Sequence, residues 1–158
     1  MKICQEFAIL NRYTIAKTIA EYMDWDITNY FESVHNYISF DDNIVRKGAI
    51  SAKKGEQVII PINMRDGCII GIGKGNQDWN NSAPHGAGRI MSRGKAKKII
   101  NLEEYKKSME NIYTTSVTEE TKDESPFVYK PIEEILEHII PTVEVTKIIK
   151  PVYNFKAS

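Results

Sequence analysis

Cysteine is scarce in this chain: Cys4 and Cys68 are the only two in 158 residues. Two cysteines build neither a disulfide framework nor a complete metal site, and their scarcity implies a reducing, cytoplasmic setting. Net charge is lacking too. Lys+Arg and Asp+Glu both total 21, so bulk charge calls for no polyanionic partner, and any nucleic-acid contact has to be local. No apolar run approaches the roughly 20 residues of a membrane-spanning helix. The first residues lack the apolar core of a signal peptide, because Gln5, Glu6, Asn11 and Arg12 interrupt it. Repeats and low-complexity tracts are absent as well. An apolar fraction of 42% and a charged fraction of 27% are ordinary for a globular protein. The length fits one domain, residues 1–158.

What is present centres on the stretch from Ser82 to Arg93. It sets His85 between Pro84 and the glycines Gly86 and Gly88, with Arg89 and Arg93 just downstream. Glycines let backbone N–H groups approach a phosphate closely. Two arginines four apart share a face if the segment is helical, and guanidinium groups grip phosphate oxygens in pairs. A histidine in that setting suits three roles: nucleophile on phosphorus, general acid or base, or metal ligand. The same residues also suit a plain glycine-rich turn with a surface histidine. Downstream, residues 89–98 hold Arg89, Arg93, Lys95, Lys97 and Lys98 with no acid among them, which reads either as a local phosphate-binding run or as a solvated helix face.

The flanks read as an α+β fold, short mixed strands flanked by helices. Residues 2–23 carry two apolar stripes, Ile3-Phe7-Leu10 and Ala8-Ile15-Ile19-Tyr22. A helix apolar over that much of its circumference is expected to be buried. It starts without a capping residue, as if inside a longer helix. Trp25 to Glu32 reads as a short helix or turn. Strands are expected over 33–40, 44–52, 58–61, 68–72, 143–149 and 152–155. Ser92 and Asn101 are placed to cap helices, and Pro131 opens a third, to Ile140. His138 falls on the polar side of that helix, solvated and without a role. Thr114 to Ser125, rich in Thr, Ser and charge, reads as a mobile surface loop. His35, alone in a strand, reads from its own context as a structural histidine.

Taken together, Pro84-His85-Gly86-Ala87-Gly88-Arg89 followed by Met91-Ser92-Arg93 resembles the signature of the RtcB family of RNA-splicing ligases. Val34-His35-Asn36-Tyr37, Arg46-Lys47-Gly48-Ala49 and the terminal Asn154-Phe155-Lys156-Ala157 resemble three further motifs of that family, in the family's order. The resemblance covers essentially the whole chain and only the C-terminal part of the family's usual length. It implies an RtcB-like fold and a GTP- and manganese-dependent ligase. In that chemistry His85 takes up guanylate from GTP, the guanylate passes to an RNA 3′-phosphate or one derived from a 2′,3′-cyclic phosphate, and an RNA 5′-hydroxyl then attacks. The resemblance further implies guanylate contacts at Gly86, Ala87, Gly88, Asn63, Cys68 and Lys156, with Lys156 at the guanine edge. Beside these, Arg89 and Arg93 are the candidates for phosphate or RNA-backbone contacts, and Arg93 equally suits structural hydrogen bonding in the loop. His35 binds one of two manganese ions, whose other ligands come from N-terminal segments that this chain does not contain. The loop read in many members as Pro-Gly-Ser-Met-Gly is here Pro61-Ile62-Asn63-Met64-Arg65. Two further readings share this site: a guanylate- or phosphate-binding module inactive alone, and a piece that completes an active site with a separate N-terminal half.

Overall fold

The computed structural model describes residues 1–156. Ala157 of the terminal motif lies outside the described residues. Helix α1, Lys2–Tyr22, leads the chain. Strands β1, His35–Ser39, and β2, Ile44–Ser51, form a hairpin. A second hairpin joins β3, Gln57–Asn63, to β4, Gly67–Gly73. Strand β5, Ser82–Pro84, precedes α2, Arg93–Ile99, and α3, Leu102–Ser108. The two-residue β6, Tyr113–Thr114, helix α4, Ile132–Ile139, strand β7, Val143–Ile149, and β8, Tyr153–Asn154, complete it. The result is α+β, as the sequence implied.

Two three-stranded antiparallel sheets carry the framework, β1-β2-β5 and β3-β4-β7. A short parallel pair, β6-β8, ties the C-terminal segment to the middle of the chain. Alternation explains the second sheet. Val58, Ile60 and Ile62 of β3 and Ile69 of β4 point inward, are buried, and meet Ile135 and Ile139 of α4 and Val143 of β7. Each such isoleucine or valine contributes about 1.5–3 kcal/mol by leaving water. Gly67 is fixed by the same packing: a Cβ there would lie 1.9 Å from the Ile149 carbonyl oxygen. A second core gathers Met64, Ala96, Ile100, Tyr105, Met109 and Val128, and the Tyr105 hydroxyl reaches the Met64 sulfur at 3.0 Å.

Helix caps fall where the residue types place them. The Ser92 hydroxyl accepts from the Lys95 N–H, and the Asn101 carbonyl accepts from the Glu103 and Glu104 N–H groups. Helix α3 stops at Ser108.

Three expectations are corrected. Helix α1 forms over the expected span but is not buried: among its residues Ala20 alone is buried, while Ile3 is 81% and Phe7 69% exposed. Its contacts run instead through a polar group, the Gln5 side-chain amide, which pairs with the Ile38 backbone N–H and C=O on the open edge of β1. Trp25 to Glu32 forms no helix. The segment from Thr114 to Ser125 is not a bare surface loop. Ser116, Thr121, Asp123 and Ser125 are buried, because their short polar side chains satisfy the backbone: the Thr121 hydroxyl donates to the Ser116 carbonyl, and the Ser125 hydroxyl accepts from the Phe127 N–H.

Candidate functional site

Strand β2 brings the two site histidines together. Its Ile50 pairs with His35 on one side and with Ala83 on the other. His85 lies two residues beyond Ala83, and its N–H donates to the Gly48 carbonyl. His35 and His85 therefore stand on the same face of one sheet, one on either side of β2. Their rings stack with centroids 5.0 Å apart and planes inclined by 23°. Gly48, at φ +68°, sits inside β2 where its register with β1 shifts, and the Asn36 side-chain carbonyl accepts its N–H. Arg46 anchors the strand from behind. Its buried guanidinium donates to the Ser82 and Tyr37 hydroxyls, the Asp42 carboxylate and the Asn80 carbonyl. The Arg-Lys-Gly-Ala segment thus aligns β1, β2 and β5 at the level of the histidines.

The glycine-rich stretch after His85 is held in place by its neighbours. The Ala87 N–H donates to the Pro61 carbonyl, so one amide of the expected phosphate cradle is already bonded within the protein. Gly88 takes φ +72°, and Arg89 bridges to Tyr129 on the next segment. A cavity of about 730 Å³ opens here. His85 and the glycine-rich residues after it, Arg89, Arg93, Tyr129, Glu124, Lys156, His35, Cys68 and Asn63 are among its lining. Every site residue expected from the sequence faces this one cavity.

Several of them have partners already. Asn63 spends its amide on the β3–β4 turn: Oδ1 accepts from the Arg65 and Asp66 N–H groups, and Nδ2 donates to Asp66. Arg65 in turn grips Asp66 with two nitrogens. Arg89 and Arg93 do not share a helical face, because Arg89 precedes α2 and Arg93 opens it. They converge through acids instead. Arg93 pairs with Asp123 and Glu124, and Arg89 donates to the Asp123 carbonyl and the Tyr129 hydroxyl. Lys156 is positioned from Ser116, whose hydroxyl accepts the Lys156 backbone N–H at 2.7 Å.

Electrostatics differentiates these groups. Burial pushes the His85 imidazole below the ordinary histidine range, and the adjacent His35 adds to the shift, which favours the neutral ring that a nucleophile requires. Burial pushes the Cys68 thiol up, away from the thiolate that reacts or ligates. Manganese does not fit the described residues by themselves: among them no three His, Cys, Asp or Glu side chains converge on one point. His35 is one ligand donor without companions of the right kind.

Sequence reasoning missed Glu124 and Tyr129, which line the cavity, and Asp123 behind them, which pairs with Arg93. Their signal was the Asp-Glu pair ahead of Ser125-Pro126, hidden inside a segment that reads as loop.

Comparison with known proteins agrees with this geometry. The family model described as tRNA-splicing ligase RtcB matches residues 1–157. The RNA-splicing ligase RtcB of Escherichia coli strain K12 is 35% identical over 128 residues, which cover 77% of this chain and 31% of that protein. RNA-splicing ligase RtcB1 of Escherichia coli strain ATCC 25922 is 36% identical over 128 residues, with the same coverage. The chain thus spans about a third of the length of these curated relatives. With the family match running over residues 1–157, this chain belongs to the RtcB family.

Proposed function

We propose that this chain carries the nucleotide-transfer site of an RNA ligase. An unprotonated His85 nitrogen attacks the α-phosphorus of GTP; an N–P bond forms, the bond to the bridging oxygen breaks, and pyrophosphate leaves. Arg89 and Arg93 lie where they can offset charge building on the phosphoryl oxygens. The guanylate then passes to an RNA 3′-phosphate, breaking the N–P bond. An RNA 5′-hydroxyl attacks that activated phosphate, and GMP departs. Lys156 would donate to the guanine carbonyl oxygen, a role open to an ammonium and not to an acceptor.

The observation that carries this reading is the placement of His85. Its imidazole is shifted toward the neutral form and faces, across one cavity, two arginines and a lysine. The RNA partner, GTP and the manganese requirement follow from the family resemblance. His35 would supply one metal ligand, and the rest of the set would come from sequence upstream of this chain.

That shortage of metal donors favours a second reading, in which the chain binds guanylate but needs an N-terminal piece to react. One experiment separates the two. The chain is incubated with α-labelled GTP and manganese, alone and together with the upstream segment that its longer relatives possess. Covalent label on the chain alone, lost in His85→Ala, supports retained chemistry. Label that appears only with the upstream segment supports the second reading. No label in either case defeats the ligase assignment.

A further inference from the structure

One carboxylate gathers several of the side chains that line the cavity with His85. Glu124 Oε2 accepts from the Tyr129 hydroxyl at 2.8 Å and lies 3.5 Å from the Lys156 ammonium. Glu124 Oε1 accepts from Arg93, with an Arg89 nitrogen at 3.9 Å. Four cavity-lining donors meet one acceptor, and Glu124 is itself part of the cavity wall. Burial alone would raise its pKa; the Tyr129 and Arg93 hydrogen bonds, with the charges of Lys156 and Arg93, outweigh burial and hold it below the usual carboxylate range.

The four donors do not depend on Glu124 equally. Arg93 has a second anchor in the Asp123 carboxylate, and Arg89 bonds the Asp123 carbonyl and the Met91 carbonyl. Among the described residues, Glu124 is the side-chain partner of the Lys156 ammonium. The Asp123 carboxylate holds Arg93 and Lys97 and its main-chain carbonyl holds Arg89; Glu124 shares Arg93 and adds the lysine and the tyrosine.

We propose that Glu124 is a positioning residue for base selection: it sets the Lys156 ammonium and the Tyr129 hydroxyl where the base of a bound nucleotide enters. The proposal rests on the reading that this cavity takes a guanine nucleotide. Lys156, so held, donates to a 6-oxo group and finds no acceptor in the 6-amino group of adenine. Glu124 does not touch the reacting phosphorus; it acts through Lys156.

The test measures GTP and ATP binding by calorimetry on the whole chain, together with NMR of the Lys156 side chain in 13C-lysine-labelled protein. Glu124→Gln keeps the shape and an acceptor for Tyr129 but removes the charge. It is expected to cut the GTP-over-ATP preference about tenfold, with Lys156→Ala doing the same and the double variant no worse than either, because groups acting as one unit do not add. Asp123→Asn is expected to weaken both nucleotides alike and leave the preference in place, which a merely structural role for Glu124 would mimic. Equal weakening of GTP and ATP in Glu124→Gln, or additive losses in the double variant, overturns the proposal. If the unaltered chain shows no preference for GTP, the nucleotide reading fails. The Lys156 resonance then decides for Glu124: a shift in Glu124→Gln upholds the positioning, and an unmoved resonance overturns it.

Discussion

His35 and His85 stack at 5.0 Å because β2 lies between the strands that carry them. Neither histidine reaches the other through its own segment; the register of three strands brings them together. The rings therefore have separable roles. His85→Ala is expected to abolish covalent guanylate uptake. His35→Phe keeps a flat ring against His85 but removes both ring nitrogens, and uptake is expected to fall by at least about tenfold, the scale of losing a ligand's support at a metal site. Labelling with radioactive GTP, in the form of the protein that reacts, reads both. Full uptake in His35→Phe would reduce His35 to a packing role.

Gly48 tests the irregularity of β2 beside the two histidines. Its φ of +68° disfavours any side chain, whereas a Cβ would sit 3.9 Å from His85 Cδ2, an ordinary contact. Gly48→Ala should therefore cost about 1–2 kcal/mol in stability through the backbone alone. Guanylate uptake per folded molecule should stay within a few-fold of the parent. Urea denaturation gives the first quantity and labelling the second. A large loss of uptake with little loss of stability would mean that the backbone relieves its strain by moving His85.

Arg46 and Asp42 predict an acid-sensitive framework. The Arg46 side chain is 1% exposed and serves four acceptors, so Arg46→Ala takes a donor from the Ser82, Tyr37, Asn80 and Asp42 oxygens at once and should cost about 3 kcal/mol. Arg46→Lys, with one compact ammonium, recovers part of that. The Asp42 carboxyl is held well below its ordinary range, first by the Ser39 hydrogen bond and then by Arg46 and the Ile44 N–H, against the opposing effect of burial. Its folded pKa lies below its unfolded one. The stability it contributes is present above the ordinary carboxylate range and is lost as pH falls through that range toward the folded value. Asp42→Asn should thus cost about 1–3 kcal/mol at neutral pH and progressively less below about pH 4. Denaturant midpoints at a series of pH values would show the two curves converging; parallel curves would contradict the linkage.

The local parts of this structure were legible in the sequence. Short apolar runs announced β3 and β4, Ser92 and Asn101 marked the starts of α2 and α3, and the glycine, histidine and arginine types picked out residues that line one cavity. What escaped depends on long-range partners. Apolar stripes say that α1 can be buried, not what would bury it; here Gln5 on the edge of β1 makes the attachment. Thr, Ser and acids between 114 and 125 look solvated by composition, yet Asp123 and Glu124 turn inward because Arg93 and Arg89 arrive from α2 and its approach. Arg89 and Arg93 looked like a pair on one helix, whereas a shared set of acids joins them. A residue type reveals what it can bond; the fold decides which partner is within reach.

The exposed face of α1 gives the last prediction. Ile3, Phe7, Leu10, Ile15 and Ile19 are each at least half exposed, and the residues flanking β8 add Val152 at 87% and Phe155 at 66%. Water-facing apolar surface on this scale is unusual for a monomer and drives association. At 25 cal/mol per Å², removing even about 400 Å² of it from water is worth about 10 kcal/mol before the cost of association is subtracted. The chain by itself should therefore self-associate at micromolar concentration and bind an apolar dye such as ANS. Replacing Phe7 and Leu10 with glutamate should return it toward a monomer, and supplying the upstream segment of its relatives should do so as well, if that segment covers the same face. Light scattering across a concentration series measures each case. A clean monomer with no dye binding would mean that α1 folds back onto the chain in solution, and the apolar stripes that led the sequence reading to expect a buried helix would then be satisfied within this chain.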